Sequence, residues 1–149
     1  MDKPQFVYVT YIATTPEKLW NALLDPRMTE QYWQHENVNA SEWKAGSRWE
    51  HRAFDKERTL RIVGKVLESS PPRRLVLTWA YPADAGNESK HSRATFEIEP
   101  LHDVVKLTVT HDDFDTASDM LKRISEGWPK VLSSMKSLLE SGRALPKLW

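Results

Sequence analysis

Tryptophan and histidine side chains carry most of the chemistry that this sequence offers. The chain contains seven tryptophans and five histidines among 149 residues. A tryptophan ring provides a flat apolar wall and one N–H donor, which suits planar aromatic ligands. We expect His51 and His111 to face inward, where an imidazole with an ordinary pKa of about 6.5 can orient a ligand hydroxyl or accept its proton. These residue types predict a pocket for an apolar aromatic molecule, with proton transfer as the alternative.

Other classes of site are disfavoured by the composition. The chain has no cysteine, which excludes disulfides, thiol nucleophiles and thiolate metal sites. No two histidines have metal-binding spacing, and the acidic cluster near residue 115 lacks the glycine and terminal glutamate of a calcium loop. Glycine loops for phosphates and serine-nucleophile motifs are also missing. We therefore expect no metal and no cofactor, and we assign a helix-capping role to the cluster, which consists of Asp112, Asp113, Asp115 and Asp119.

Charge and hydropathy restrict the partners and the location of the protein. The 21 basic and 21 acidic side chains cancel, which removes the positive field that most nucleic-acid binders use. Apolar stretches are far shorter than the roughly 20 residues of a membrane span. The N-terminal segment also lacks the pattern of a secretory signal. We expect one domain over residues 1–149, in the cytoplasm, with neither a nucleic-acid partner nor a membrane span.

The N-terminal part of the sequence predicts one strand followed by two helices. Residues Phe6–Ile12 alternate and are rich in valine and tyrosine, which is typical of a strand. Thr15 is an N-cap candidate with proline at the next position, so a helix is expected over about residues 16–24. Asp25 repeats the cap-plus-proline signal. A second short helix should therefore carry Met28, Tyr32 and Trp33.

Five further strands are predicted by alternating polarity. The first two cover residues 48–54 and 59–68, and a proline pair ends the second. The third, fourth and fifth are expected around Leu77, Phe96 and Leu107. The side chains expected to face inward from these five strands are Trp49, His51 and Ala53; Leu60, Ile62, Gly64 and Val66; Leu75, Leu77, Trp79 and Tyr81; Ala94, Phe96 and Ile98; and Val105, Leu107, Val109 and His111.

The C-terminal part predicts one long amphipathic helix of about 24 residues. Its apolar positions, which run from Met120 to Leu139, keep helical spacing throughout. Pro129 lacks the N–H that would bond to the carbonyl of Ser125, so we expect a kink or a restart there. Gly142 supplies the C-terminal stop. At about 1.5 Å per residue this helix would be about 36 Å long, enough to cross a curved sheet.

This order of elements predicts an α+β fold with a curved antiparallel sheet of six or seven strands around the long helix. The inward side chains of sheet and helix mix large rings with a few polar tips, which is typical of a ligand pocket. The candidate ligand-binding residues are Trp33, Trp49, His51, Leu77, Trp79, Tyr81, Phe96, His111, Trp128, Leu132 and Met135.

Several segments of the chain, in order, resemble the START-like (SRPBCC) superfamily, and within it the family named for the activator of heat-shock protein ninety ATPase. The most specific segments are PPRRLVLTW at residues 71–79 and the Gly-Trp pair at 127–128. One departure from the family pattern is Ser47, where a second glycine is usual. The other segments are 12–20, 24–26, 32–33, 43–46, 64–68, 95–99, 107–111 and Leu132.

The resemblance implies a helix-grip fold like that of the birch pollen allergen, with a deep hydrophobic cavity between sheet and helix. It implies binding of a lipid-like, polyketide-like or aromatic molecule more strongly than it implies a reaction. Two alternatives stay open. One is a cofactor-free cyclase or dehydratase in which His51 or His111 is the base, and the other is a co-chaperone-like interaction module with a role in the stress response. A homodimer and a chaperone partner are also left open.

Overall fold

The computed structural model describes residues 4–34, 37–53 and 55–148, and it confirms the α+β helix-grip architecture. One strand precedes two short helices, six strands follow, and a long helix ends the fold. The helices are α1 (Pro16–Leu24), α2 (Pro26–Tyr32) and α3 (Met120–Ser141). The strands are β1 (Phe6–Ile12), β2 (Asn37–Ser41), β3 (Arg48–Ala53), β4 (Leu60–Ser70), β5 (Arg74–Trp79), β6 (Ser92–Leu101) and β7 (Val104–Asp112).

The seven strands form one antiparallel sheet in the order β1-β7-β6-β5-β4-β3-β2. Strands β2 to β7 form a meander, and β1 returns to pair with β7. Alternate residues of each strand face the concave side, where β7 buries every second residue from Val105 to His111. This alternation brings side chains from distant parts of the chain onto one surface beneath α3.

The helix starts follow the capping signals of the sequence. The Thr15 hydroxyl accepts a hydrogen bond from the Lys18 N–H at 3.2 Å, and Asp25 Oδ1 accepts one from the Arg27 N–H at 2.9 Å. Gly142 adopts the left-handed conformation, with φ of 82°, and ends α3 as expected. The short helices α1 and α2 are therefore placed by local chemistry, which sets the position of Trp33 directly after α2.

Helix α3 is continuous over 22 residues and lies across the concave face of the sheet. Pro129 lies inside the helix, so of the two outcomes expected there, a kink or a restart, the restart does not occur. Buried positions on α3 recur every three or four residues, and the helix presents Ile124, Trp128, Leu132 and Met135 to the sheet. The apolar stripe predicted from the sequence is thus the surface that the sheet grips. Within the described residues, no helix is long and apolar enough to cross a bilayer.

Three sequence predictions need correction. The strand β2 was not predicted, because NVNAS is short and mostly polar. Tyr81 does not belong to a strand, since β5 ends at Trp79 and a short 3₁₀ turn begins at Pro82. The helix-capping role expected of the acidic cluster is not seen at α3, where Asp119 occupies the N-cap position but its side chain accepts no capping hydrogen bond from a helix N–H. Phe54, the predicted end of the second strand, lies outside the described residues.

Candidate functional site

An aromatic cluster lies between the sheet and the middle of α3. Trp79 from the end of β5 packs against Trp128 of α3, with ring centroids 5.3 Å apart. Trp49 of β3 lies 4.9 Å from Trp79, and Phe96 of β6 meets Trp128 edge-on at 5.7 Å. Trp33, which follows α2, meets Trp128 edge-on with ring centroids 6.1 Å apart. Aromatic pairs prefer such tilted and edge-to-face arrangements, so these contacts stabilise the cluster.

The position of Trp49 depends on a glycine in the neighbouring strand. Trp49 lies opposite Gly64 in the β3–β4 register, and its Nε1–H donates to the Thr78 carbonyl at 2.8 Å across the β4 backbone. A Cβ added to Gly64 would lie 1.9 Å from that carbonyl oxygen and 2.3 Å from Trp49 Nε1. The absence of a side chain at Gly64 is therefore what lets the indole reach its acceptor.

His111 is fully buried, and both of its ring nitrogens have partners. Trp128 Nε1–H donates to His111 Nδ1 at 3.1 Å, so Nδ1 is unprotonated and the neutral ring carries its proton on Nε2. Nε2–H then donates to Ser92 Oγ at 2.7 Å, and the serine hydroxyl donates to the Trp79 carbonyl at 3.1 Å. Burial lowers the pKa of His111 to about 3, a shift that nearby Asp112 only partly opposes. His111 thus fixes the orientation of the Trp128 ring.

His51 lies next to Trp33 and is bonded across the sheet to Asn39. His51 Nδ1–H donates to Asn39 Oδ1, its neighbour in the β2–β3 register. The rings of His51 and Trp33 meet edge-on with centroids 4.3 Å apart. Burial, together with the positive charge of Arg61, lowers the pKa of His51 to about 3. His51 is therefore a neutral hydrogen-bonding group at neutral pH.

The side chains almost fill the space between sheet and helix. The remaining cavity measures about 20 Å³, which is room for about one water molecule. The deep cavity implied by the family resemblance is therefore absent from this conformation, because indole rings occupy it. The cavity is lined by Leu23, Tyr32, Trp33, Asn39, Trp43, Trp49, Leu75, Leu77, Trp79, Phe96, Trp128 and Leu132.

The structure distributes the predicted site residues between the cavity wall and its surroundings. Seven of them line the cavity, namely Trp33, Trp49, Leu77, Trp79, Phe96, Trp128 and Leu132. His51 and His111 contact wall residues, and Met135 is buried further along α3. Tyr81 is only partly buried, and its hydroxyl donates to Asp119 Oδ1 at 2.8 Å, which ties the end of β5 to the start of α3.

Five lining residues were missed by the sequence reasoning: Leu23, Tyr32, Asn39, Trp43 and Leu75. Leu75 was on the inward list of its strand, so the same alternation that selected Leu77 identifies it. Asn39 had no usable signal, because its strand was not predicted. Trp43 has a positive φ of 56° outside any regular element, where periodicity says nothing about direction.

The described residues contain no group of three or more histidine or acidic side chains that could hold a metal ion. The acidic cluster before α3 is used locally instead. Asp115 Oδ1 accepts from the Ala117 N–H at 3.3 Å, and Asp112 forms an ion pair with Arg93 at 3.0 Å. The aspartates are thus engaged in turns and ion pairs of the fold.

Comparisons with known proteins agree with this architecture. Residues 13–140 match the family described as Activator of Hsp90 ATPase homolog 1-like protein. A comparison with curated proteins gave no significant match.

Solved structures with the same fold include protein MLL2253 from Mesorhizobium loti, at 23% identity and a TM-score of 0.74 over 91% of this chain and 96% of that one. PFC0360w, an HSP90 activator from Plasmodium falciparum, shares 22% identity with this chain at a TM-score of 0.74. The match covers 91% of this chain and 95% of PFC0360w. The Aha1 dimer from Colwellia psychrerythraea shares 20% identity at a TM-score of 0.75. The match covers 95% of this chain and 99% of the Aha1 chain. At these identities the likeness concerns the fold.

Proposed function

Because this chain belongs to the family of Activator of Hsp90 ATPase homolog 1-like proteins, and its sheet and C-terminal helix enclose an aromatic pocket, we propose that it binds a small planar apolar molecule. The ligand takes the place of the Trp33 ring. The observation that carries this proposal is the wall of indole and phenyl rings around the cavity, in which Trp33 and Trp43 are partly exposed. Flat rings of this kind favour a flat apolar ligand.

The size of the cavity requires that a side chain move. An engineered apolar cavity that holds benzene measures about 150 Å³, whereas the space here is about 20 Å³. Trp49 and Trp128 are poor candidates for movement, since both are buried and their N–H groups are hydrogen-bonded. Trp33 lies at the end of α2 and is partly exposed. Rotation of its ring would free a space of roughly the right shape.

Hydrogen bonds from the residues on both sides of Trp33 fix the backbone there, whereas the Trp33 ring itself is only partly buried. Tyr32 donates its hydroxyl proton to the Ala22 carbonyl at 3.0 Å. On the other side, Gln34 Nε2 donates to Ser134 Oγ at 3.2 Å and to the Leu145 carbonyl at 2.9 Å. These bonds attach the end of α2 to α1, α3 and the C-terminal segment. A change confined to the Trp33 side chain would therefore open the pocket without unfolding its frame.

The Trp33→Ala variant should bind naphthalene at least about tenfold more tightly than the wild-type protein. Removal of the ring eliminates the cost of displacing it and leaves an apolar space that gains about 25 cal/mol per Å² of buried ligand surface. Calorimetric titration and the shift of the melting temperature with naphthalene measure the effect. Trp20→Ala is the matched control, because Trp20 packs on the core but does not line the cavity. Absence of binding to the wild-type protein would contradict the proposal, even if the variant binds.

A second proposal concerns self-association through the outer face of β1. Three large apolar side chains project from this edge strand, Val7, Val9 and Tyr11, with exposed fractions of 48%, 44% and 52%. The strand itself carries no charge, and the paired outward positions of β7 add one, Lys106 opposite Tyr11, so two copies can meet at Val7 and Val9 with little repulsion between like charges. We infer that a second copy of this chain covers this face.

The Val9→Lys variant should be monomeric at concentrations where the wild-type protein is dimeric. A lysine at the centre of the face places two like charges against each other in the dimer. Light scattering after size-exclusion chromatography measures the mass of both proteins. Leu67→Lys is the control, because Leu67 lies on a different strand and is similarly exposed, at 48% against 44% for Val9. A wild-type protein that is monomeric at high micromolar concentration would refute this interface.

The enzymatic and chaperone hypotheses remain predictions with less support. Both His111 nitrogens already have partners, so a role as general base would require the Trp128 bond to break first. A chaperone partner is suggested by the name of the Plasmodium relative, whose 22% identity to this chain concerns the fold.

A further inference from the structure

The segment after α3, residues 143–145, is tied to the residue that follows Trp33. Gln34 Nε2 donates a hydrogen bond to the Leu145 carbonyl at 2.9 Å, across 111 positions of the chain. We propose that this segment, which we call the strap, holds the pocket closed through Gln34, and that its release opens the pocket. This inference rests on the proposed function and adds regulation to the same site.

The strap folds back along the end of α3 through local contacts. Gly142 takes the left-handed conformation that turns the chain at the helix end. The Ser137 hydroxyl donates to the Arg143 carbonyl at 2.7 Å, and Ala144 packs against the core cluster. None of the three strap residues is buried, so the strap can detach at much lower cost than the helix that precedes it.

Gln34 adopts a backbone conformation that its surroundings must maintain. Its φ is 67°, in the left-handed region that bulky side chains rarely adopt. Among the described non-glycine residues with positive φ, Gln34 alone is buried, with 9% of its surface exposed. Such a conformation persists only where neighbouring contacts hold it. Here the Gln34 amide bonds to the strap and, at 3.2 Å, to Ser134 Oγ of α3.

The same residue lies between Trp33 and the sheet. Release of the strap removes one of the two contacts of the Gln34 amide, so that Gln34 can return to a negative φ. This change would redirect the chain between α2 and β2, while β2 stays paired with β3. Trp33, directly before this point, would then move relative to His51 and Trp128, which its ring now contacts. The strap thus controls the ring whose displacement the pocket requires.

Gln34→Met tests the strap in the full-length protein. Methionine has a similar length but no donor, so the bonds to Leu145 and Ser134 are both lost. We expect this variant to bind naphthalene about fivefold more tightly than the wild-type protein in calorimetric titration at pH 7. Gln31→Met is the matched control, because the Gln31 amide donates to the Arg27 carbonyl within α2 and does not reach the strap. Wild-type affinity in Gln34→Met, or an equal gain in Gln31→Met, would overturn the inference.

Two shortened chains remove the strap without altering Gln34. A chain that ends at Gly142 lacks it, whereas a chain that ends at Pro146 keeps the Leu145 amide carbonyl, and the two differ only in residues 143–146. The shorter chain should bind naphthalene about fivefold more tightly than the longer one, which should match the full-length protein within about twofold. Far-ultraviolet circular dichroism verifies that both are folded. Equal affinities of the two folded chains would contradict the role of the strap.

The Trp33→Ala background separates failure of the strap from failure of the pocket. This variant has no ring to displace, so the Gln34→Met change should alter its naphthalene affinity by less than about twofold. A merely structural role of Gln34 would change the affinity equally in both backgrounds, which would refute the proposed coupling. Absence of naphthalene binding to the wild-type protein rejects the pocket itself. Binding that is indifferent to the strap rejects only the strap, so the two failures are distinguishable.

Discussion

Replacement of Gly64 by alanine should lower the free energy of unfolding by about 3 kcal/mol. The new methyl group would meet the Thr78 carbonyl and the Trp49 ring nitrogen at distances far inside van der Waals contact. Neither neighbour can yield cheaply, because one is backbone in the sheet and the other is a fully buried indole. Overpacking of a core costs about 1 to 3 kcal/mol, and loss of the Trp49–Thr78 hydrogen bond adds about 1 kcal/mol.

Gly127→Ala is the matched control for this experiment. Gly127 lies within α3, and a Cβ added there meets no atom within 4 Å. Alanine should therefore stabilise the protein by about 0.5 to 1 kcal/mol, which is the ordinary helix-propensity difference. Urea unfolding followed by far-ultraviolet circular dichroism gives both values. A Gly64→Ala protein within about 0.5 kcal/mol of the wild type would show that the indole can lie elsewhere at little cost.

Acidification should destabilise the protein steeply below pH 6.5 because of His51 and His111. Burial lowers the pKa of each folded-state imidazole to about 3, whereas the unfolded-state value is about 6.5. Between these values the unfolded chain binds more protons than the native protein, so stability rises with pH and is lost as the pH falls. Each histidine contributes up to about 1.4 kcal/mol per pH unit, and the two together up to about 2.7 kcal/mol.

His111→Gln separates the two contributions. Glutamine retains one donor and one acceptor for Ser92 and Trp128 but does not titrate. The slope of unfolding free energy against pH between about 4.5 and 5.5 should therefore fall by up to about 1.4 kcal/mol per unit. Urea unfolding at several pH values in one buffer system measures the slope, whatever the absolute stability of the variant. An unchanged slope would mean that His111 takes up its proton in the native state near its ordinary pKa.

Capping residues and the periodicity of apolar residues predicted the helix ends and the inward strand positions, because these features depend only on residues close in sequence. Thr15 and Asp25 cap their helices, Gly142 ends α3, and alternation placed Trp79 and Phe96 on the concave face. Each of these outcomes follows from the period of a strand or helix, or from a side chain that bonds its own backbone within three residues. The inward positions are therefore largely a property of local sequence.

The contacts of the candidate site arise from register and packing between distant segments. Nothing in the local sequence predicts that His51 meets Asn39, because that pairing follows from a β2 strand without a hydrophobic pattern. Periodicity placed His111 inward but could not reveal that Trp128, from the other layer of the fold, supplies its donor. Whether the aromatic rings leave a cavity or fill it depends on their side-chain rotamers. The spacing of residues in the sequence does not predict those rotamers.

The near-contact spacing of the indoles gives the protein a built-in optical reporter. The rings follow one another in the order Trp33, Trp128, Trp79 and Trp49, with successive centroid separations of 6.1 Å, 5.3 Å and 4.9 Å. At such separations the excited states of the rings couple and share their energy. Rotation of the Trp33 ring alone would therefore alter the exciton signal in the ultraviolet circular dichroism spectrum of the whole chain of chromophores. The protein thus needs no added dye to test whether its interior opens.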